Sequence, residues 1–109
     1  MHVIVLRRDT YERDRWIAMN LFKAFEEAKR ASMERLVEIG LSNVPLPWLA
    51  EHARRWRELA GENFWPYGID ANRRTLDAFL KYSFEQGVTP RLLQVEELFA
   101  PETRESFKI

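Results

Sequence analysis

The aromatic segment at residues 64–69 and the polar residues after it are the part of the sequence best suited to ligand chemistry. Its letters are FWPYGI, and Asn72 and two consecutive arginines follow within five residues. A pocket for an aromatic acid needs stacking surfaces such as Trp65 and Tyr67, a few positioned hydrogen-bond donors, and a guanidinium that can bind a carboxylate. The same segment could instead form a packed aromatic plug that binds nothing, so both readings stay open.

Histidine is the side chain that changes charge near neutral pH, and the sequence holds two, His2 and His52. His2 stands at the start of an apolar, β-branched run, where the ligand clefts of layered α/β proteins open. It could equally be a chain-end residue ordered only by its neighbours. His52 lies among charged residues of a predicted helix, where a solvated role is expected. The candidate substrate-binding residues are His2, Trp65, Tyr67 and Asn72.

Several kinds of catalytic or metal site are excluded by residue type and spacing. The chain has no cysteine, which rules out disulfides, thiolate zinc sites and thiol nucleophiles. Its two histidines lie in different predicted elements, and its carboxylates alternate with arginine or lysine as on a solvated surface. We therefore expect no metal and no cofactor, and no catalytic residue is assigned.

Charge and hydropathy narrow the range of partners. Seventeen basic residues balance seventeen acidic ones, so no net field attracts a nucleic acid. No apolar run approaches the roughly 20 residues that span a bilayer, and the N-terminus does not resemble a signal peptide. These features predict a cytoplasmic protein that binds neither nucleic acid nor membrane.

The elements that must position these side chains are mostly helical. Apolar residues recur at steps of three and four along much of the chain, and glycines and prolines separate the helical stretches. The chain is expected to be a single domain or part of one, mainly α with one N-terminal β-strand. The predicted elements are a strand at 2–7, a long helix at 15–39, a helix at 47–59, an aromatic loop at 62–69, a helix at 71–86 and short C-terminal helical turns.

The predicted strand at 2–7 has no partner strand in the sequence. Unpaired backbone groups in a buried strand cost about 1 to 3 kcal/mol each. The strand is therefore expected to pair between chains in a homo-oligomer, or with an N-terminal lobe that is missing here.

Five sequence blocks together resemble a known family. They are VPLPW at 44–48, FWPYGI at 64–69, NR at 72–73, EQGV at 85–88 and ELFAPE at 97–102. In this order they look like the C-terminal part of 4,5-dihydroxyphthalate decarboxylase and its relatives, and the N-terminal strand and long helix resemble a type 2 periplasmic-binding-protein fold.

The resemblance implies a C-terminal segment of an α/β two-lobed scaffold that carries out non-oxidative decarboxylation of an aromatic dicarboxylic acid. Because decarboxylation needs groups that converge from both lobes, the chain is expected to be inactive alone. Two alternatives remain, a non-catalytic module that binds a small aromatic acid, and a helical, self-associating interaction protein.

Overall fold

The computed structural model describes residues 2–38 and 45–104, and 66% of these residues are helical. The predicted mainly helical class is thereby confirmed. The elements of this described part are α1 (Arg8–Arg13), α2 (Trp16–Val37), α3 (Leu49–Ala60), α4 (Ile69–Glu85), α5 (Val95–Leu98) and a 3₁₀ turn (Pro101–Thr103).

The prediction of an N-terminal β-strand at 2–7 is wrong. None of the described residues lies in a strand, and Val3, Ile4 and Val5 are 56%, 65% and 83% exposed. A lone strand cannot hydrogen-bond its own backbone, whereas an exposed segment can bond to water. The α/β two-lobed type 2 periplasmic-binding-protein fold and the pairing of this strand between chains are overturned with it.

Two helices lie close to the predicted ranges, but their exposed sides differ from expectation. The long helix expected at 15–39 is α2, and residue 39 lies outside the described residues. Helix α3 follows Trp48, whose φ of 62° is left-handed. Trp56 and Leu59 of α3 have the three-residue spacing typical of a buried apolar side, yet these are 59% and 78% exposed, and only Ala53 is buried in this helix.

The chain divides into two compact units. One comprises Met1–Phe22 with Tyr67–Ile109, and the other comprises Lys23–Pro66. The first unit has a small core in which three residues of α4 pack with Val95 of α5, which is only 1% exposed. The three are Ile69, Leu76 and Leu80, and their spacings of seven and four residues bring the side chains to one helix face.

Helix α4, expected at 71–86, begins after a glycine that the backbone requires. Gly68 has φ of 92° and ψ of 171°, a backbone conformation that residues other than glycine rarely adopt. The side-chain amide of Asn72 donates a hydrogen bond to the Gly68 carbonyl oxygen at 2.9 Å.

In the described ranges, no helix combines the length and apolar character that crossing a membrane requires.

Candidate functional site

The structure places the predicted binding residues in different surroundings. His2 lies in the exposed N-terminal segment, and Trp65 is 66% exposed in the unit Lys23–Pro66. Tyr67 and Asn72 flank the start of α4, where Tyr67 is 39% exposed and Asn72 is half-buried. Only Tyr67 and Asn72 therefore share one local structure, and the role of all four in binding stays a prediction.

A hydrogen bond joins the two separate sequence ranges that make up the first unit. The hydroxyl of Tyr11 in α1 donates to Oε2 of Glu102 in the 3₁₀ turn at 2.7 Å, and both side chains are half-buried. The guanidinium carbon of Arg15 lies 5.7 Å from the centre of the Tyr11 ring, which is within cation–π range. A phenol, a carboxylate and a guanidinium are thus gathered at one place.

The hydrogen bond shifts the pKa values of both partners. Accepting the bond stabilises the Glu102 carboxylate and lowers its pKa, while the same bond and burial raise the pKa of Tyr11. At neutral pH, Tyr11 is therefore a phenol that donates a hydrogen bond, and Glu102 is an anion. Arg15 is exposed and presents N–H donors that could bind a carboxylate in a forked geometry.

One of the two arginines considered as carboxylate ligands is held within the fold. Nη2 of Arg73 on α4 donates to Oε1 of Glu96 on α5 at 2.6 Å. This hydrogen bond raises the pKa of Arg73 and lowers that of Glu96. Arg73 thus ties α5 to α4, whereas its neighbour Arg74 is exposed on the same helix.

The start of α5 is built around a second carboxylate. Arg91 contacts both carboxylate oxygens of Glu97 at 3.0 and 2.5 Å, and the Gln94 backbone N–H donates to Glu97 at 3.0 Å. The Arg91 guanidinium, followed by the Gln94 N–H, lowers the pKa of Glu97 to about 2. Gln94 and Glu97 form a capping box, a pairing that satisfies the free N–H groups of a helix start.

Arg104 links the end of the 3₁₀ turn to α5. Its Nη2 donates to the backbone carbonyl of Glu96 at 2.5 Å and its guanidinium also reaches the carbonyl of Phe99 at 3.3 Å. Arg104 therefore holds the 3₁₀ turn, and with it Glu102, against α5.

Tyr11, Arg15 and Glu102 are not among the site residues predicted from the sequence. Tyr11 and Arg15 lie only four positions apart, which is a local signal even though α1 ends between them at Arg13. No such signal links Tyr11 to Glu102, which lie 91 positions apart.

Within residues 2–38 and 45–104, no group of three or more histidine, aspartate or glutamate side chains could hold a metal ion.

Comparison with known proteins identifies a relative. No protein-family model matches the sequence, and no solved structure gives a significant match. The chain is 38% identical over all 109 residues to 4,5-dihydroxyphthalate decarboxylase of Comamonas testosteroni. The chain is therefore similar to part of a decarboxylase.

This match confirms the resemblance predicted from the five sequence blocks. It covers the whole chain but only 33% of the relative. The chain therefore spans about a third of the length of the curated relative it matches.

Proposed function

We propose that the chain forms the C-terminal portion of a protein that decarboxylates an aromatic dicarboxylic acid of the 4,5-dihydroxyphthalate type without oxidation. The observation that supports this function is the 38% identity over all 109 residues. Similarity that extends along the entire chain includes both the helices and the loops between them, and loops carry much of the binding chemistry of proteins.

The reaction has demands that can be compared with the residues present. The bond between a ring carbon and one carboxylate breaks, its electron pair remains on the ring, carbon dioxide leaves, and a proton is then added to that carbon. The second carboxylate must be held by cations while charge develops in the ring. Arg15 and Arg74 are exposed guanidinium groups that could hold a carboxylate, and the Tyr11 phenol could donate a hydrogen bond beside Arg15.

The chain is proposed to be inactive by itself. The carboxyl groups with shifted pKa values in the described part, Asp9, Glu96, Glu97 and Glu102, are all shifted downward. A general acid that returns a proton at neutral pH needs a pKa nearer to the working pH. These four carboxylates are therefore unsuited to return the proton, and the match to only 33% of the relative supports a donor in the remaining polypeptide.

A chimera tests this function. The matched third of the Comamonas testosteroni enzyme is replaced by the 109-residue chain, and carbon dioxide release from 4,5-dihydroxyphthalate is measured for the chimera, the intact relative and the chain alone. We expect release from the chimera and the relative, and none from the chain alone.

Two outcomes would contradict the proposal. Carbon dioxide release by the chain alone would refute its inactivity, and a folded chimera without any release would refute the decarboxylase function. In the second case, calorimetric titration of the chain with the same dicarboxylic acid identifies the alternative, because binding without release is expected only of a non-catalytic binding module.

A further inference from the structure

Helix α4 carries an exposed side without charge. At 100° per residue, its six charged residues fall within roughly a third of the helix circumference. They are Asp70, Arg73, Arg74, Asp77, Lys81 and Glu85. The core residues occupy another third, and the last third holds only small or aromatic side chains. We call this last third the uncharged face of α4, and it consists of Ala71, Thr75, Ala78, Phe79 and Tyr82.

The uncharged face is open to solvent. Phe79 and Tyr82 are 52% and 56% exposed, Ala71 and Thr75 are exposed, and Ala78 is half-buried. A solvated helix side usually carries charged residues, as the opposite side of α4 does. Small residues next to two large rings also form the ridges and grooves into which another element packs. This composition is typical of a helix face that is covered by protein.

We infer that the uncharged face of α4 is the docking surface for the part of a decarboxylase-like polypeptide that lies outside the 109-residue match. This inference rests on the proposed function. The match covers 33% of the relative, so two thirds of that protein must pack somewhere against the matched third. A surface without charges suits such packing, because burying an unpaired charge is costly whereas burying alanine and phenylalanine is favourable.

The rest of the polypeptide is favoured over a second copy of the chain as the occupant. A segment joined to the chain by peptide bonds is present at a high effective concentration, whereas a second copy must associate from solution. The face is also small, with two large side chains, which suits one helix or loop of a larger interface better than a complete dimer interface.

Cysteine labelling tests the inference cleanly, because the chain has no cysteine of its own. Thr75→Cys places a thiol on the uncharged face, and Asp77→Cys places a matched control on the charged side two residues away. Both variants are made in the 109-residue chain and in the chimera with the Comamonas testosteroni enzyme. Labelling by a thiol reagent is followed at the variant peptide by mass spectrometry.

The two positions are expected to react at similar rates in the chain alone. In the chimera, Thr75→Cys is expected to react more slowly by a factor on the order of ten, while Asp77→Cys keeps its rate. A second pair, Ala78→Cys with Lys81→Cys as its control, gives the same comparison if a Thr75 variant does not fold.

Equal labelling at Thr75 in the chain and in an active chimera would overturn the inference and leave the proposed function standing. Concentration-dependent protection of Thr75→Cys in the chain alone would also overturn it, since the occupant would then be a second copy. Protection at Thr75 in a folded chimera that releases no carbon dioxide would support the docking surface while refuting the decarboxylase function.

Discussion

At the scale of single residues, the first unit is organised by carboxylates that are each held by a specific donor. Glu102 accepts from Tyr11, Glu96 from Arg73, and Glu97 from Arg91. In each case the donor lowers the pKa of the carboxyl group, so these glutamates remain charged at neutral pH. The contacts of Glu102 and Glu96 connect residues 91 and 23 positions apart, which makes the titration of these two carboxyl groups a measure of tertiary structure.

Removing the hydroxyl of Tyr11 should change the titration of Glu102. In Tyr11→Phe, the carboxylate loses its hydrogen bond, so the pKa of Glu102 is expected to rise toward its usual value. Carboxyl chemical shifts measured by NMR against pH report this change. Tyr82→Phe, which removes a hydroxyl from α4, is the control and should leave Glu102 unaffected. An unchanged pKa of Glu102 in Tyr11→Phe would show that the hydrogen bond does not persist in solution.

Glu97 should contribute to the acid sensitivity of the fold. Its pKa in the folded chain, about 2, lies below the usual value of 4.5, so its ionised form favours folding. This contribution is fully present above pH 4.5 and is lost as the pH falls toward 2. In Glu97→Gln, urea unfolding midpoints should therefore fall less steeply between these pH values than in the unmodified chain.

Arg91→Gln provides the companion measurement, because the guanidinium is the largest cause of the shift. It should flatten the same part of the pH profile. A profile that stays equally steep in both variants would contradict the role of this ion pair.

At the scale of elements, α4 is the helix on which the first unit depends. It supplies most of the buried core, the Arg73 contact to α5, and the uncharged face. Its start depends on the backbone conformation of Gly68, and the hydrogen bond from the Asn72 side-chain amide to the Gly68 carbonyl oxygen holds that first turn. Two predictions separate these contributions.

Replacing Gly68 should destabilise the start of α4. An added Cβ would meet no atom within 4 Å, so the cost of Gly68→Ala comes from the backbone dihedrals alone, about 1 to 3 kcal/mol. Gly68→Asn should cost a similar amount, because asparagine tolerates the ordinary left-handed region but not a ψ of 171°. Urea denaturation followed by circular dichroism measures both. A neutral Gly68→Ala would mean that this conformation is not populated.

Leu80 and Phe79 are neighbours on α4 with opposite surroundings. Leu80 is 4% exposed in the core, so Leu80→Ala should cost about 2 to 5 kcal/mol. Phe79 is 52% exposed, and in the isolated chain Phe79→Ala should cost distinctly less, about 1 kcal/mol. Both unfolding free energies come from the same urea titrations. Similar losses at the two positions would indicate that Phe79 is covered in the isolated chain.

At the scale of the whole molecule, many large apolar side chains of the described part remain exposed. The four tryptophans of the chain belong to this group, with Trp16, Trp48, Trp56 and Trp65 between 59% and 80% exposed. Trp16 and Trp48 stand at the starts of α2 and α3, and both are solvated. Large exposed apolar surfaces usually mark sites of interaction with other protein.

This exposure predicts the fluorescence of the isolated chain. Its tryptophan emission should be red-shifted and accessible to acrylamide, close to that of the chain in urea, even while circular dichroism shows folded helices. The unmodified chain at several concentrations is the sample, and the urea-unfolded chain is the reference. A blue-shifted, protected emission in dilute solution would contradict the exposure of these four side chains.

The relative and the helices could be predicted from the sequence because both depend on local patterns. The repeat of apolar residues indicates α2 and α4, since helix formation depends on residues three and four positions apart. The ordered blocks such as FWPYGI at 64–69 carry the resemblance to the decarboxylase, and the match over the whole chain confirms it.

Only the tertiary structure decided which apolar side chains are buried and which residues distant in sequence make contact. The apolar run at 2–7 satisfies every local rule for a strand, but a strand exists only if a second one pairs with it. Trp56 has the spacing of a buried residue, yet burial depends on a neighbour that the helix does not contain. Tyr11 meets Glu102 because the fold brings the two ends of the first unit together, and contacts across 91 positions leave no periodic trace in the chain.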